Sequence, residues 1–166
     1  MTEPEIRAAY HAHKDSIYRF AWRMTGSADA AGDILQDCFL GLLRNPNGYD
    51  PARAPLRPFL LAMARNLALK RWRAEQRWEA LDEEEFSVEP LEPGAGQTAE
   101  LVGRAVQSLP PLQREAIILF EYEDLSLEEI ARVAGAAVGT VKARLHRARE
   151  NLARMLAPLG PSGGGR

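Results

Sequence analysis

Cysteines and long apolar runs are both scarce in this chain of 166 residues. The single cysteine, Cys38, cannot form an internal disulfide, and no CxxC pattern indicates a zinc site. A membrane-spanning helix needs about 18 or more consecutive apolar residues, and no such run occurs. The N-terminal sequence MTEPEIRAAYHAHKD lacks the basic and then apolar order of a signal peptide. We therefore expect a cytoplasmic protein that does not insert into a membrane.

Strand patterns and catalytic patterns are also missing from the sequence. No alternation of apolar and polar residues is long enough to predict a strand, so the expected fold class is all-α. No nucleophile–base pair or metal-ligand spacing is evident, and His11 and His13 fit a solvated helix surface. We expect no enzymatic activity, no metal and no cofactor. Cys38 is expected to pack in the core, with a redox switch as the alternative.

The charge is nearly balanced overall but is distributed unevenly. The formal net charge is −2, yet it is +4 over residues 1–74, −8 over 75–100 and +2 over 101–166. The acidic middle segment holds two prolines and two glycines, a composition typical of a linker. We therefore expect two small helical domains at 1–77 and 101–157, a flexible acidic linker at 78–100 and a flexible tail at 158–166.

Apolar residues recur at helical spacing through the first block. The first predicted stripe contains Ile6, Tyr10, Ile17, Phe20, Ala21 and Met24. The second contains Ile34, Leu35, Cys38, Phe39, Leu42 and Leu43. Ser27 offers an N-cap to the second helix, and Pro46 and Gly48 are expected to end it. A third helix is predicted from about Pro58 to Arg77, with five packing positions: Leu60, Met63, Ala64, Leu67 and Trp72.

The second block predicts a helix-turn-helix. A first helix starts at prolines and is expected to supply Leu112, Ala116, Leu119 and Phe120 to a core. A short helix then opens on a capping box formed by Ser126 and Glu129, and Gly135 and Gly139 permit a tight turn after it. The basic segment VGTVKARLHRARENLARML, residues 138–156, forms the last helix.

Helical spacing places two different faces on this last helix. The predicted core face contains Val141, Leu145, Ala148 and Leu152. Small or basic residues point away from it near the helix start: Gly139, Ala143, His146 and Arg147, with Thr140 and Lys142 on the flanks. Small residues let a helix approach base edges closely, and free backbone N–H groups near Thr140 can bind a phosphate. The pattern favours DNA binding over a merely solvated basic face.

The two blocks together resemble the extracytoplasmic-function (ECF) group of bacterial sigma factors, over about residues 10 to 157. DILQDCFLGLLR is similar to the family's D-[LI]-x-Q-[ED]-x-F motif. YDPARAPLRPFLLAMARNLALKRWR is similar to its F-D-P…R…F-R-x-W-L…A-R-N-x-A-x-D-x-x-R segment. LPPLQREAIILFEYEDLSLEEIARVAGAAVGTVKARLHRARENL is similar to its C-terminal helix-turn-helix. A helix-turn-helix alone is shared by many regulators, whereas three motifs at these separations point to one family.

The resemblance implies three partners: core RNA polymerase, through its β′ coiled coil and its β subunit, promoter DNA, and an anti-sigma factor. The residues matching the β′-binding helix of region 2 are Asp33, Gln36 and Asp37. Their spacing lets them share one helix face. The acidic run at residues 82–85 fits a segment in the RNA exit channel of the polymerase and fits a solvated tether equally well.

The resemblance also implies that the third helix and the loop before it, residues 47–55, melt the −10 promoter element and hold an unstacked base. That chemistry needs cationic groups for phosphates and a polar group for a base edge. The expected region 2 DNA contacts are Arg53, Arg65, Asn66, Lys70 and Arg73, with Arg71 adding positive charge. Asn66 matches the family's base-reading asparagine.

The helix-turn-helix is expected to read the −35 element in the major groove. The expected contacts are Thr140, Lys142, Ala143, His146 and Arg147. Arg144, Arg149 and Arg154 lie beside the core stripe and are expected to serve phosphates or solubility.

Several positions depart from the family pattern. Phe59 replaces the usual tryptophan, Lys70 stands where aspartate is common, and Ala143 replaces a frequent serine. The first departure bears on the identity of the captured base, and the third removes one polar contact to DNA. Lys70 makes the third helix more basic.

Two other functions compete with promoter-specific initiation. A sigma-like decoy that only sequesters an anti-sigma factor would lose the basic recognition surface, which this chain keeps. An ordinary helix-turn-helix repressor would leave the DILQDCF and ARNLAL segments unexplained. The sequence therefore favours a transcription initiation factor.

Overall fold

The computed structural model describes residues 1–76 and 98–159. These residues form α-helices and no strand, which confirms the all-α prediction. The helices are α1 Glu3–Thr25, α2 Ala28–Arg44, α3 Leu56–Gln76, α4 Thr98–Gln107, α5 Pro111–Ile117, α6 Leu127–Ala134 and α7 Val138–Leu156. A π-helical segment, Ile118–Tyr122, continues α5, and a 3₁₀ turn, Ala157–Leu159, follows α7. Among the described helices, none is long and apolar enough to cross a membrane.

The chain divides into two compact units. The N-terminal unit is built on α1–α3, and the C-terminal unit on α4, α5, most of α6 and α7. Helix α4 begins at Thr98, inside the segment predicted as linker, because buried Leu101 and Ala105 anchor it and Glu100 favours its first turn. The rest of the predicted linker, 78–97, lies outside the described residues. The predicted tail starts within the 3₁₀ turn, and its residues 160–166 also lie outside them.

Local capping signals define the ends of the first two helices. Thr2 Oγ1 accepts a hydrogen bond from Glu5 N at 3.3 Å, and the Glu5 carboxylate accepts one from Thr2 N at 2.7 Å. Gly26, with a φ of +69°, ends α1 in a left-handed conformation. Ser27 Oγ then accepts from Ala30 N at 3.1 Å, as predicted for the N-cap of α2.

Three helices enclose the core of the N-terminal unit. Its most deeply buried large side chains are Ile17, Phe20, Ile34, Leu42, Leu60, Leu61 and Leu69. Two residues of the predicted stripes are exposed instead: Tyr10 is 37% exposed and Leu43 is 49% exposed. Leu43 lies about 40° beyond buried Phe39, at the edge of the stripe and next to exposed Gln36. Four others are half-buried rather than buried: Leu35, Met63, Leu67 and Trp72.

Helix α5 and the π-helical segment supply the centre of the C-terminal unit. Consecutive residues from Glu115 to Leu119 are buried, and so is Gln113. Leu112 and Phe120, predicted as core positions, are only half-buried. A helix with one buried face would not bury five successive residues. Helix α5 and the start of the π-helical segment are therefore surrounded on most of their circumference.

The helix-turn-helix forms where the sequence predicts it. Ser126 Oγ accepts from Glu129 N at 3.1 Å, and Glu129 Oε1 accepts from Ser126 N at 3.0 Å, which confirms the capping box. Gly135 adopts a φ of +62° in the turn before α7.

The buried stripe of α7 differs from the prediction at its C-terminal end. Val141, Leu145 and Ala148 are buried as expected. Leu152 is half-buried, whereas Asn151 and Met155 are buried. The stripe therefore drifts around the helix, because 3.6 residues per turn do not keep a strict seven-residue spacing on one line.

The capping box predicts a local stability effect. Replacing Ser126 with alanine removes the acceptor for the Glu129 N–H and should cost about 1 kcal/mol. We expect amide hydrogen exchange in α6 to become about fivefold faster in S126A. The matched control is S108A, since the Ser108 hydroxyl donates to the Arg104 carbonyl near the end of α4 and caps no helix start. Equal exchange rates in α6 for the two variants would contradict this role of Ser126.

Cys38 is buried in α2, and its thiol is free. Burial, with the neighbouring Asp37 carboxylate as the smaller cause, raises the pKa of the Cys38 thiol to about 12. The nucleophilic thiolate is therefore almost absent at pH 8. We expect a disulfide reagent such as DTNB to label the native chain at least about a hundredfold more slowly than the urea-unfolded chain. Labelling of the native chain at the unfolded rate would favour the redox alternative.

Candidate nucleic-acid interface

The first turns of α7 present small and basic side chains outside its buried stripe. Thr140, Lys142 and His146 are exposed, and Ala143 and Arg147 are half-buried. These are the five residues predicted to contact the −35 element, and the structure brings them onto adjoining surfaces of one helix. A face of this composition can enter a DNA groove. One carboxylate lies close to this surface: Glu150 Oε1, one turn further along, is 2.8 Å from the Nε2 atom of His146.

The N-terminus of α7 leaves backbone donors at the helix end. The N-cap residue, Ala137, makes no side-chain hydrogen bond to the helix. The first backbone bond of the helix runs from Val141 N to Ala137 O at 3.1 Å. The N–H groups of Val138, Gly139 and Thr140 therefore precede the intrahelical ladder. A Cβ atom at Gly139 would meet nothing within 4 Å, so an oxyanion has room to approach these donors.

Two arginines in the C-terminal half of α7 have acidic partners. Arg149 Nη2 lies 3.5 Å from Glu121 Oε1, and the Arg149 guanidinium lies 5.3 Å from the ring centroid of Phe120. Arg154 Nη2 lies 3.9 Å from Glu150 Oε2. Exposed pairs of this kind contribute about 1 kcal/mol or less each. Their main effect is to reduce the net positive charge of this end of α7.

Arg144 is turned into the protein. Its Nη1 atom lies 3.9 Å from Glu115 Oε1 on α5, and the two side chains are 14% and 1% exposed. The same two helices share a hydrogen bond in which Asn151 Nδ2 donates to Gln113 Oε1 at 2.8 Å. The burial of Glu115 and Gln113 was not predicted from the sequence, because Glu and Gln usually lie on a solvated helix face. The signal that was available is the unbroken apolar run that follows Glu115.

Helix α3 carries three of the five predicted region 2 DNA contacts on one face. Asn66, Lys70 and Arg73 are exposed and follow i, i+4, i+7 spacing, so they are aligned along the helix. Arg65 is half-buried, and its Nη1 atom donates to Asn66 Oδ1 at 3.2 Å. This contact orients the Asn66 amide so that its NH₂ group is directed away from the arginine.

The loop before α3 is held by its own contacts. The Tyr49 hydroxyl donates to the Ala54 carbonyl at 2.8 Å, and the Tyr49 ring lies 5.1 Å from the ring of Phe59. Asp50 Oδ1 accepts from the backbone N–H two residues later, at 2.9 Å. The exposed Arg53 donates its own backbone N–H to the Asp50 carbonyl at 3.1 Å. The loop thus presents the Arg53 side chain from an ordered turn.

Helix α2 exposes the three residues matched to polymerase binding. Asp33, Gln36 and Asp37 are exposed and share one face. Arg71 Nη2, on α3, lies 3.7 Å from Asp33 Oδ2. Arg71 therefore faces α2 rather than the line of Asn66 on α3, and its charge does not belong with the exposed cationic groups there.

Two exposed leucines extend this face of α2. Leu40 and Leu43 are 40% and 49% exposed and follow Asp37 by three and six positions. The apolar spacing predicts a core position for Leu43, which is wrong, and gives no signal for Leu40. Apolar side chains next to exposed carboxylates are typical of a protein-binding surface.

Three features characterise the titratable side chains of the described residues: the lack of a metal-ligand cluster and the environments of His13 and Arg114. No group of three or more His, Cys, Asp or Glu side chains in this part of the chain is arranged to hold a metal ion. Burial, with the Arg57 charge as the smaller cause, lowers the pKa of His13 below its ordinary value. Burial also lowers the pKa of Arg114 to about 10, so this guanidinium stays charged at neutral pH.

Comparison with protein families assigns both units. A family model described as Sigma-70 region 2 matches residues 9–78, and one described as Sigma-70, region 4 matches residues 99–152. The first match contains α3 and the exposed face of α2. The second contains the helix-turn-helix.

Named relatives match over most of this chain. It is 36% identical over 154 residues to the ECF RNA polymerase sigma factor SigE of Mycolicibacterium smegmatis, covering 87% of this chain but only 59% of that protein. It is 36% identical over 145 residues to EcfG of Rhodopseudomonas palustris, covering 85% of this chain and 79% of that one. It is 31% identical over 162 residues to SigW of Bacillus subtilis, covering 89% and 86%.

Solved structures share the fold. The sigma factor RpoE of Bartonella quintana, crystallised with the anti-sigma factor NepR, superposes with a TM-score of 0.71 at 24% identity, covering 91% of this chain and 96% of that one. CnrH, solved with the cytosolic domain of CnrY, gives a TM-score of 0.68 at 21% identity, covering 92% and 87%. Two sigma-factor regions in the same order, and relatives of this similarity over most of their length, leave one conclusion. The chain belongs to the ECF group of RNA polymerase sigma factors.

Proposed function

We propose that this sigma factor directs promoter-specific initiation, with its C-terminal unit reading the −35 element and its N-terminal unit opening and reading the −10 element. The observation that carries the proposal concerns the first three turns of α7. They combine an uncapped helix start at Ala137, the small residues Gly139 and Ala143, and the basic residues Lys142 and Arg147 on adjoining surfaces. A decoy that binds only protein has no need for this combination.

The recognition helix α7 makes two kinds of contact in this proposal. The N–H groups near Thr140 and the exposed Lys142 bind phosphates and fix the helix in the major groove. His146 and Arg147 reach base edges, where an arginine can bind the O6 and N7 atoms of guanine in a bidentate manner. Ala143 lets the helix approach closely and can contact the methyl group of thymine.

The N-terminal unit acts on the separated strands. Asn66 can both donate to and accept from the edge of an unstacked base, and Lys70 and Arg73 lie along the same face for the phosphates that follow. Arg65 holds the Asn66 amide, and Arg53 adds positive charge from the neighbouring loop. These groups meet the needs of a site that holds a single strand.

Polymerase binding is assigned to the exposed face of α2. Asp33, Gln36 and Asp37 supply charge and hydrogen-bonding groups for the β′ coiled coil, and Leu40 and Leu43 supply apolar area beside them. An apolar centre with a charged rim suits a helical partner. The C-terminal unit is proposed to contact the β subunit.

Regulation and location follow from the same proposal. RpoE of Bartonella quintana was solved bound to an anti-sigma factor, and we propose that an anti-sigma factor also controls this chain. It acts in the cytoplasm with RNA polymerase, as an initiation factor and not as an enzyme.

In vitro transcription tests this function directly. The purified chain is combined with core RNA polymerase on a library of genomic fragments, with core polymerase alone as the control. We expect transcripts that start at a defined set of sites sharing −35 and −10 sequences. A chain that is folded by circular dichroism, yet directs no specific initiation, would contradict the proposal.

Arg147 allows a sharper test on a promoter selected in this way. R147A should lose about 1–3 kcal/mol of binding to the selected promoter and relax preference at one base pair. R149A is the matched control, since it removes an arginine of the same helix that pairs with Glu121 and lies about 160° around the helix from Arg147, and it should change binding by about 0.5 kcal/mol or less. Affinities of the holoenzyme for promoter variants measure both effects. Full promoter selectivity in R147A would contradict the role given to Arg147.

A further inference from the structure

Polar contacts between α5 and α7 lie behind the surface proposed to read DNA. We propose that the Glu115–Arg144 ion pair, together with the Gln113–Asn151 hydrogen bond, positions α7 and thereby sets its base selectivity without touching DNA. Glu115 and Arg144 are thus positioning residues. The inference rests on the proposed function of α7.

The first observation is how deeply the charged pair is buried. Glu115 is 1% exposed and Arg144 is 14% exposed, with 3.9 Å between Oε1 and Nη1. Removing two charges from water costs free energy that their mutual attraction does not fully offset, so such a pair is poor evidence for added stability. Its best-attested use is to favour one packing arrangement over alternatives of similar energy. Here the arrangement it favours is that of α7 against α5.

The apolar contacts of α7 do not fix that arrangement by themselves. Its buried apolar side chains are Val141, Leu145, Ala148 and Met155. Their burial stabilises the contact but is non-directional, so a small rotation of the helix changes the buried area little. A hydrogen bond depends steeply on distance and angle. The 2.8 Å contact from Asn151 Nδ2 to Gln113 Oε1 therefore restricts rotation as the apolar stripe cannot.

The two polar contacts are placed to hold the reading surface. Arg144 and Asn151 are seven residues apart, so they lie within about 20° of each other around α7 and two turns apart along it. Contacts at two positions along α7 restrict both its rotation and its tilt against α5. Lys142 precedes Arg144 by two positions, and His146 and Arg147 follow it by two and three positions. A rotation of about 10° would move an atom about 6 Å from the helix axis by about 1 Å, enough to misalign a bidentate contact.

A pair of glutamate-to-glutamine variants tests the inference in the full chain bound to core polymerase. E115Q removes the negative charge of the buried ion pair with Arg144. E121Q removes the negative charge of the exposed ion pair with Arg149. Both substitutions keep the side-chain shape and alter an acidic partner of an arginine on α7. The measured quantity is the ratio of holoenzyme affinities for a promoter fragment found by in vitro transcription and for the same fragment with a scrambled −35 element.

We expect E115Q to lower this ratio about tenfold and E121Q to leave it within about twofold. The salt dependence of binding to the scrambled fragment should be unchanged in E115Q, because the phosphate contacts remain. A general loss of folding would instead weaken binding to both fragments and reduce the salt slope. A folded E115Q holoenzyme with the wild-type ratio would overturn the inference.

A double variant covers the case in which E115Q does not fold. E115M/R144M replaces both buried partners by apolar side chains of similar length, an exchange that often preserves stability. We expect native helicity with a reduced affinity ratio, and a wild-type ratio would again overturn the inference. If the unmodified holoenzyme shows no preference between the two fragments, the proposed −35 function itself fails, which is distinguishable because it is seen without any substitution.

Discussion

Burial of α5 round most of its circumference is the constraint on which the C-terminal unit depends. Gln113 and the residues from Glu115 to Leu119 are withdrawn from solvent, so this short helix has little surface of its own to show. It serves instead as the support for α7, whose stripe of Val141, Leu145 and Ala148 is buried in the same unit. With that side occupied, the small and basic residues at the start of α7 face outward. The exposed chemistry of α7 is thus a consequence of how α5 is buried.

The N-terminal unit combines two surfaces on neighbouring helices. Helix α2 exposes Asp33 and Asp37, and helix α3 exposes the line that starts at Asn66. The contact between Asp33 and Arg71 lies between α2 and α3, at 3.7 Å. Because both helices pack into one core, a partner bound to α2 fixes where α3 lies. This arrangement suits a protein that must hold polymerase and DNA in a set geometry.

Local signals made much of the fold predictable. Ser27, Ser126 and Gly135 each act through their own turn, and the structure uses them as N-caps and as a left-handed residue. Periodicity was less informative about depth. It gives the spacing of a buried stripe but not its centre or width, and therefore Leu43 was placed in the core although it is exposed.

The buried polar contacts could not be predicted for a different reason. The direction of Arg144 is decided by Glu115, which is distant in sequence and adjacent only after α5 and α7 have packed. The sequence alone therefore suggested phosphate binding or solubility for Arg144. The residues proposed to read DNA depended on family motifs as much as on helical faces, since an exposed Asn66 or Arg147 resembles any other surface residue.

The central claim is that the two units divide promoter recognition, and permanganate footprinting tests it most directly. This reagent modifies unpaired thymines, so it reports strand opening by the holoenzyme separately from occupancy of the promoter. We expect N66A to occupy a selected promoter with reduced reactivity in the −10 element, and R147A to open normally once its concentration restores occupancy. Normal opening by N66A, together with failure of fully bound R147A to open, would contradict the division.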